Sequence, residues 1–119
     1  MADKRYQEIV RGLLDATNQN KVEWKEAARP DSLQVSFPNY TLVLGKRPNQ
    51  RDRTAAPDYV ISIINFSGTT IDSFSDVELD EGAGDQYFET MAALFDKARR
   101  QALGVEQALE EVLKELKQA

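Results

Sequence analysis

The chain has 119 residues, 41% of them apolar and 29% charged, with a formal net charge of −5 and neither histidine nor cysteine. A length of this order suits one domain, 1–119, built around one core. The missing imidazole and thiol remove the side chains that carry most acid–base, nucleophilic and soft-metal chemistry near neutral pH, and the acidic balance argues against general nucleic-acid binding. No apolar run approaches the roughly 20 residues that cross a bilayer, and the N-terminus opens on Asp3, Lys4 and Arg5, so the expectation is a cytoplasmic protein with no membrane contact.

Tyr6, Ile9, Val10, Leu13 and Leu14 recur at helical spacing, with Asp3 as N-cap and Asn18 and Asn20 as stop signals, which predicts an amphipathic first helix. Val22 and Trp24 then alternate with Glu23 and Lys25, as a short strand or an extended lead-in, and both versions bury the tryptophan. From Ser32 the period becomes two. Leu33, Val35 and Phe37 share one face, Pro38-Asn39 supplies a turn, and Tyr40 to Leu44 returns as the second strand of a hairpin with Leu42 and Leu44 inward. A polar loop from Gly45 to Pro57 leads to Tyr59-Val60-Ile61-Ser62-Ile63-Ile64, whose β-branched content predicts an interior strand. Ser67-Gly68 turns that strand into a fourth, Thr69 to Phe74.

The remainder is helical. With Gly84 or Asp85 as cap, Phe88, Met91, Phe95, Ala98 and Ala102 form one apolar stripe, and Val105, Leu109, Val112 and Leu116 continue it in an unbroken heptad register. Register alone permits one long helix. Glycine in a helix interior costs about 1 kcal/mol relative to alanine, however, and a continuous helix would reach on the order of 50 Å, so a break near Leu103-Gly104 is favoured. The fold class expected is α+β: an N-terminal helix, a four-stranded antiparallel meander, and one bent or two C-terminal helices packed on one sheet face.

The order of these marks resembles that of a loosely defined group of small uncharacterised bacterial α+β domains. The marks are Trp24, the turn Asn65-Phe66-Ser67-Gly68, the acidic stretch Asp72 to Asp80, and Leu94-Phe95-Asp96-Lys97-Ala98-Arg99-Arg100. The resemblance implies a soluble bacterial interaction module and transfers no catalytic residue.

Three segments carry candidate chemistry. Asp76, Glu78 and Asp80 alternate as do the first ligands of a calcium loop, but Glu81 stands where the turn glycine belongs and Tyr87 where the bidentate glutamate belongs. The alternative is an acidic lead-in that complements the following helix N-terminus, with Val77 and Leu79 tucked against the core. Lys46, Arg47, Arg51 and Arg53 could hold an acidic partner, or form a solvated loop. Lys97, Arg99 and Arg100 make a second basic patch in which Asp96 pairs at helical spacing.

The last helix carries the leading expectation. Val105, Leu109, Val112, Leu113 and Leu116 give the last helix a wide apolar face that needs cover, either from the domain's own core or from a protein partner or second copy. A non-enzymatic interaction or adaptor domain is therefore expected, with no metal, no cofactor and no catalytic residue. Its rivals are an acidic inhibitor or immunity-type protein that masks a basic site with Asp72 to Asp85, and a metal-assisted carboxylate enzyme.

Overall fold

The computed structural model describes residues 3–48, 56–80 and 86–119. Helix α1 (Lys4–Asn18) starts where expected: the Asp3 carboxylate accepts from the Arg5 backbone N–H at 2.9 Å and caps the first turn. The Arg5 side chain, hydrogen-bonded to the same carboxylate at 2.6 Å, holds its pKa down at about 2. The helix stops at its asparagines. Asn20 takes a left-handed φ of 56°, which asparagine tolerates better than most residues.

Five strands follow: β1 (Lys25–Glu26), β2 (Ser32–Ser36), β3 (Tyr40–Arg47), β4 (Asp58–Asn65) and β5 (Thr70–Ser75). They pair antiparallel in the order β1-β2-β3-β4-β5. The register turns the period-two pattern into rows that cross the sheet. Leu33 pairs with Leu44, Leu44 with Ile61, and Ile61 with Phe74, and all four are buried. The next row runs Val35, Leu42, Ile63, Asp72, and so meets the edge at a carboxylate. There the Tyr6 hydroxyl donates to Asp72 at 2.7 Å, and its ring stacks on Phe74 with centroids 4.3 Å apart.

Two helices cover this face: α1, through Val10 and Leu13, and α3 (Gln86–Leu103), through Met91, Leu94, Phe95 and Ala98. Trp24, 2% exposed, closes the core beside β1. Its indole N–H donates to the Thr17 hydroxyl at 2.9 Å, which in turn donates to the Leu13 carbonyl at 2.6 Å. Gln101 of α3 clamps the lead-in, accepting from the Trp24 N–H at 2.7 Å and donating to the Val22 carbonyl at 3.3 Å. Among the described residues no buried side-chain nitrogen or oxygen lacks a partner, as native interiors require.

The sheet has one strand more than the expected four. The extra strand realises the short-strand reading of the Val22 to Lys25 alternation at its end: β1 is Lys25 and Glu26, whose backbone pairs with Gln34 and Leu33. The acidic lead-in also contains a short helix, α2 (Asp76–Asp80). Helical geometry buries Leu79 at 2% exposure and turns Val77 outward at 52%, where both residues were expected inside. Phe37 lies at the end of the inward row yet is 42% exposed, one residue beyond the end of β2. The expected cap at Gly84 or Asp85 lies outside the described residues.

Candidate interaction surface

The unbroken heptad register divides at Gly104, which adopts the left-handed conformation (φ 66°, ψ 37°) between α3 and α4 (Val105–Gln118). An L-residue with a side chain pays roughly 1–2 kcal/mol there, and glycine does not. The change of direction separates two stripes that share one register. On α3 the stripe lies on the core. On α4 no residue is buried at all: Val105 is intermediate, while Leu109, Val112, Leu113 and Leu116 are 50%, 51%, 56% and 66% exposed. All five residues expected to bind a partner therefore sit on one helix. Leu103, 48% exposed at the end of α3, adds to the same end of the molecule.

The base of α4 is fixed by polar contacts. Arg100 of α3 is ion-paired with Glu106 in the first turn of α4, and that acid also complements the helix N-terminus. Gln107 donates to Glu111 at 3.2 Å along the outer face. Clefts of about 380 and 410 Å³ flank the junction. The first reaches Phe95, Arg99 and Leu103; the second reaches Thr17, Lys97, Arg100 and Gln107. The projecting helix also lengthens the molecule. Its radius of gyration is 16.0 Å, against about 13.5 Å for a compact chain of this length, and its longest dimension is 57 Å.

The acidic segment is occupied with holding the fold. Asp72 accepts from Tyr6 and from its neighbour's backbone, Ser73 N–H, at 2.9 Å. The second bond occupies a backbone donor on edge strand β5, where an unpaired one would invite another strand. Asp76, only 4% exposed, accepts from the Tyr59 N–H at 2.7 Å. Burial raises its pKa above the ordinary 3.8, with Asp58 and Asp80 adding to the rise and the Tyr59 bond opposing it. Asp80 accepts from the Tyr87 and Phe88 N–H groups at 2.6 and 3.0 Å and so caps α3 from a distance of several residues. Glu78 is exposed; Glu81 and Asp85 lie outside the described residues. Among the described residues no group of three or more aspartates or glutamates is placed to hold a metal ion.

The basic groups are similarly dispersed. Lys46 lies 5.0 Å from the centre of the Phe95 ring, Arg47 is 3.8 Å from Asp58, and Arg99 pairs with Asp96 at 3.3 Å. Arg51 and Arg53 lie outside the described residues. The sheet face opposite the helices carries a shallow depression of about 580 Å³ that includes Gln34, Val43, Val60, Ser62 and Ser73. Its hydroxyls pair with one another, Ser62 with Ser73 at 2.9 Å and Ser36 with Thr41 at 3.3 Å, as on the wet face of an antiparallel sheet. At one end of the sheet Phe37, Tyr40 and Phe66 are 42%, 48% and 85% exposed on neighbouring turns. The strand periodicity gave no sign of this aromatic end, since Phe37 continues the inward row of β2 and Phe66 lies in a turn.

Among the described residues no helix is long and apolar enough to cross a membrane. No protein-family model, curated protein or solved structure matches the chain.

Proposed function

We propose that this chain is a protein-interaction domain that works by contact rather than by chemistry, with α4 as its docking helix. One observation carries the proposal: four large apolar side chains, Leu109, Val112, Leu113 and Leu116, stand half exposed or more on a helix that lends nothing to the core. Fully burying such a side chain is worth about 1.5–3 kcal/mol, so each leaves roughly 1 kcal/mol unclaimed, or about 4 kcal/mol on the helix. An isolated helix of this length is marginal in water. Here Gly104 and the Arg100–Glu106 pair hold its base, and a partner would supply the rest.

The surface has the composition of an interface. Its centre is aliphatic and its flanks are charged, with Glu106, Glu110 and Lys117 along one side and Glu111 and Glu115 along the other. Asp72, Asp76 and Asp80 are already engaged with Tyr6, Tyr59, Tyr87 and Phe88, which leaves α4 as the larger uncommitted feature.

Removing residues 105–118 tests the proposal. The remaining chain is expected to keep its cooperative unfolding transition, with a thermal midpoint within a few degrees of the parent's, because no core residue is lost. Loss of that transition would make α4 part of the folding unit and end the proposal.

A further inference from the structure

We propose that the occupant of the α4 face is α4 of a second copy of this chain, packed antiparallel about a two-fold axis between Glu110 and Glu111. This inference rests on α4 being a docking helix, and it adds the partner and the geometry. Val105, Leu109, Val112 and Leu116 are spaced 4, 3, 4, a pattern that reads the same from either end. Turning the helix around therefore maps Leu109 onto Val112 and Val105 onto Leu116, so that the stripe meets itself knob against hole.

The flanking charges agree with that register. Glu106 and Lys117 lie on the same side of the helix, at 3.6 residues per turn, and reversal puts Lys117 of one copy on the same flank as Glu106 of the other, two residues or about 3 Å along the axis and within reach of the long lysine side chain, twice by symmetry. Glu115 is level with Glu106 of the other copy but on the opposite flank, and its nearest neighbour on its own flank is Ala108, two residues along. Parallel pairing would crowd both domain bodies at one end, since each α4 leaves its body at its N-terminus. Antiparallel pairing places the bodies at opposite ends and opposes the helix dipoles. A helix of 14 residues spans about 21 Å. Its stripe is smaller than the roughly 800 Å² per partner of a standard stable interface. The association is accordingly weak and concentration-dependent, on the order of micromolar.

The natural absence of cysteine makes the register directly readable. Leu109→Cys and Val112→Cys chains, each otherwise complete, are oxidised mildly alone and as a mixture. A disulfide needs its Cα atoms within about 7 Å, so the mixture is expected to cross-link efficiently and each variant alone far less. Lys117→Glu is expected to weaken self-association of the unmodified chain, measured by solution mass against concentration. Equal cross-linking of each variant with itself would establish parallel pairing and overturn the geometry. A solution mass of one chain at every concentration, with no cross-link in any sample, would overturn self-association. If the body still folds without residues 105–118, that last result leaves α4 as a docking helix for a different protein, which separates the failure of this inference from failure of the reading beneath it.

Discussion

Helices α3 and α4 are cut from one heptad register and meet opposite ends. The α3 stripe contributes Met91, Leu94, Phe95 and Ala98, all at 5% exposure or less, whereas the α4 stripe contributes no buried residue. Periodicity of apolar residues thus specifies that a face wants cover, and a single backbone conformation at Gly104 decides whether the domain itself provides it. The sharpest way to break this comparison is to truncate one leucine from each helix. Leu94→Ala is expected to cost about 2–5 kcal/mol, since the residue is fully enclosed and its neighbours relax only in part. Leu113→Ala, in dilute solution where the chain is alone, is expected to stay within about 0.5 kcal/mol of the parent. Urea unfolding followed by Trp24 fluorescence measures both. Comparable losses would mean that α4 packs on the body in solution.

This comparison also marks how far the sequence could be read. The helix and strand periods located α1, β2 to β5 and α3, and the length and glycine argument located the break at Gly104, because each of these is a local property. Strand β1 was legible only as one of two readings of the Val22 to Lys25 alternation and is decided by pairing with its neighbour, and α2 escaped, being a single turn whose five residues cannot display a helical period. The candidate face was legible as an apolar stripe at Val105, Leu109, Val112, Leu113 and Leu116. Its exposure was not, since that depends on the direction in which α4 leaves Gly104. The acids look different in the chain and in space. Asp72, Asp76 and Asp80 read as one negative surface along the chain, but in space each reaches a different donor on a different element.

The same two helices differ at their starts, and this gives a smaller test. The α3 N-terminus is capped by Asp80, which accepts two backbone N–H groups, whereas α4 begins at Gly104 with no side-chain cap. Asp80→Ala is expected to cost about 1 kcal/mol, within the usual range for a lost cap. Asp80→Asn, which keeps one acceptor oxygen, should lie between the parent and the alanine variant. Midpoints of urea unfolding order the three, and an alanine variant as stable as the parent would remove Asp80 from the account of why α3 begins where it does.

The smallest effect expected is one of pH, and it contrasts two aspartates with opposite shifts. Asp3, exposed and paired with Arg5, has its pKa lowered to about 2, so its contribution is present above 3.8 and is lost only as the pH falls through the lower value. Asp76 behaves in the reverse sense. Burial raises its pKa in the folded state above the 3.8 of the unfolded chain, so between those values the folded state binds the extra proton. Its share of stability is therefore greatest below 3.8 and declines as the pH rises through the folded value, and the cost of the buried charge is complete at neutral pH. The side chain is kept there by the Tyr59 N–H, which would otherwise be buried without a partner. Asp76→Asn retains an oxygen for that bond and removes the charge. Its unfolding midpoint at neutral pH is expected to match or exceed the parent's, and to depend less on pH across the mildly acidic range. A lower midpoint with the parent's pH dependence intact would mean that the negative charge itself supports the turn from β5 into α2, through Arg47 or another cation close to Asp58.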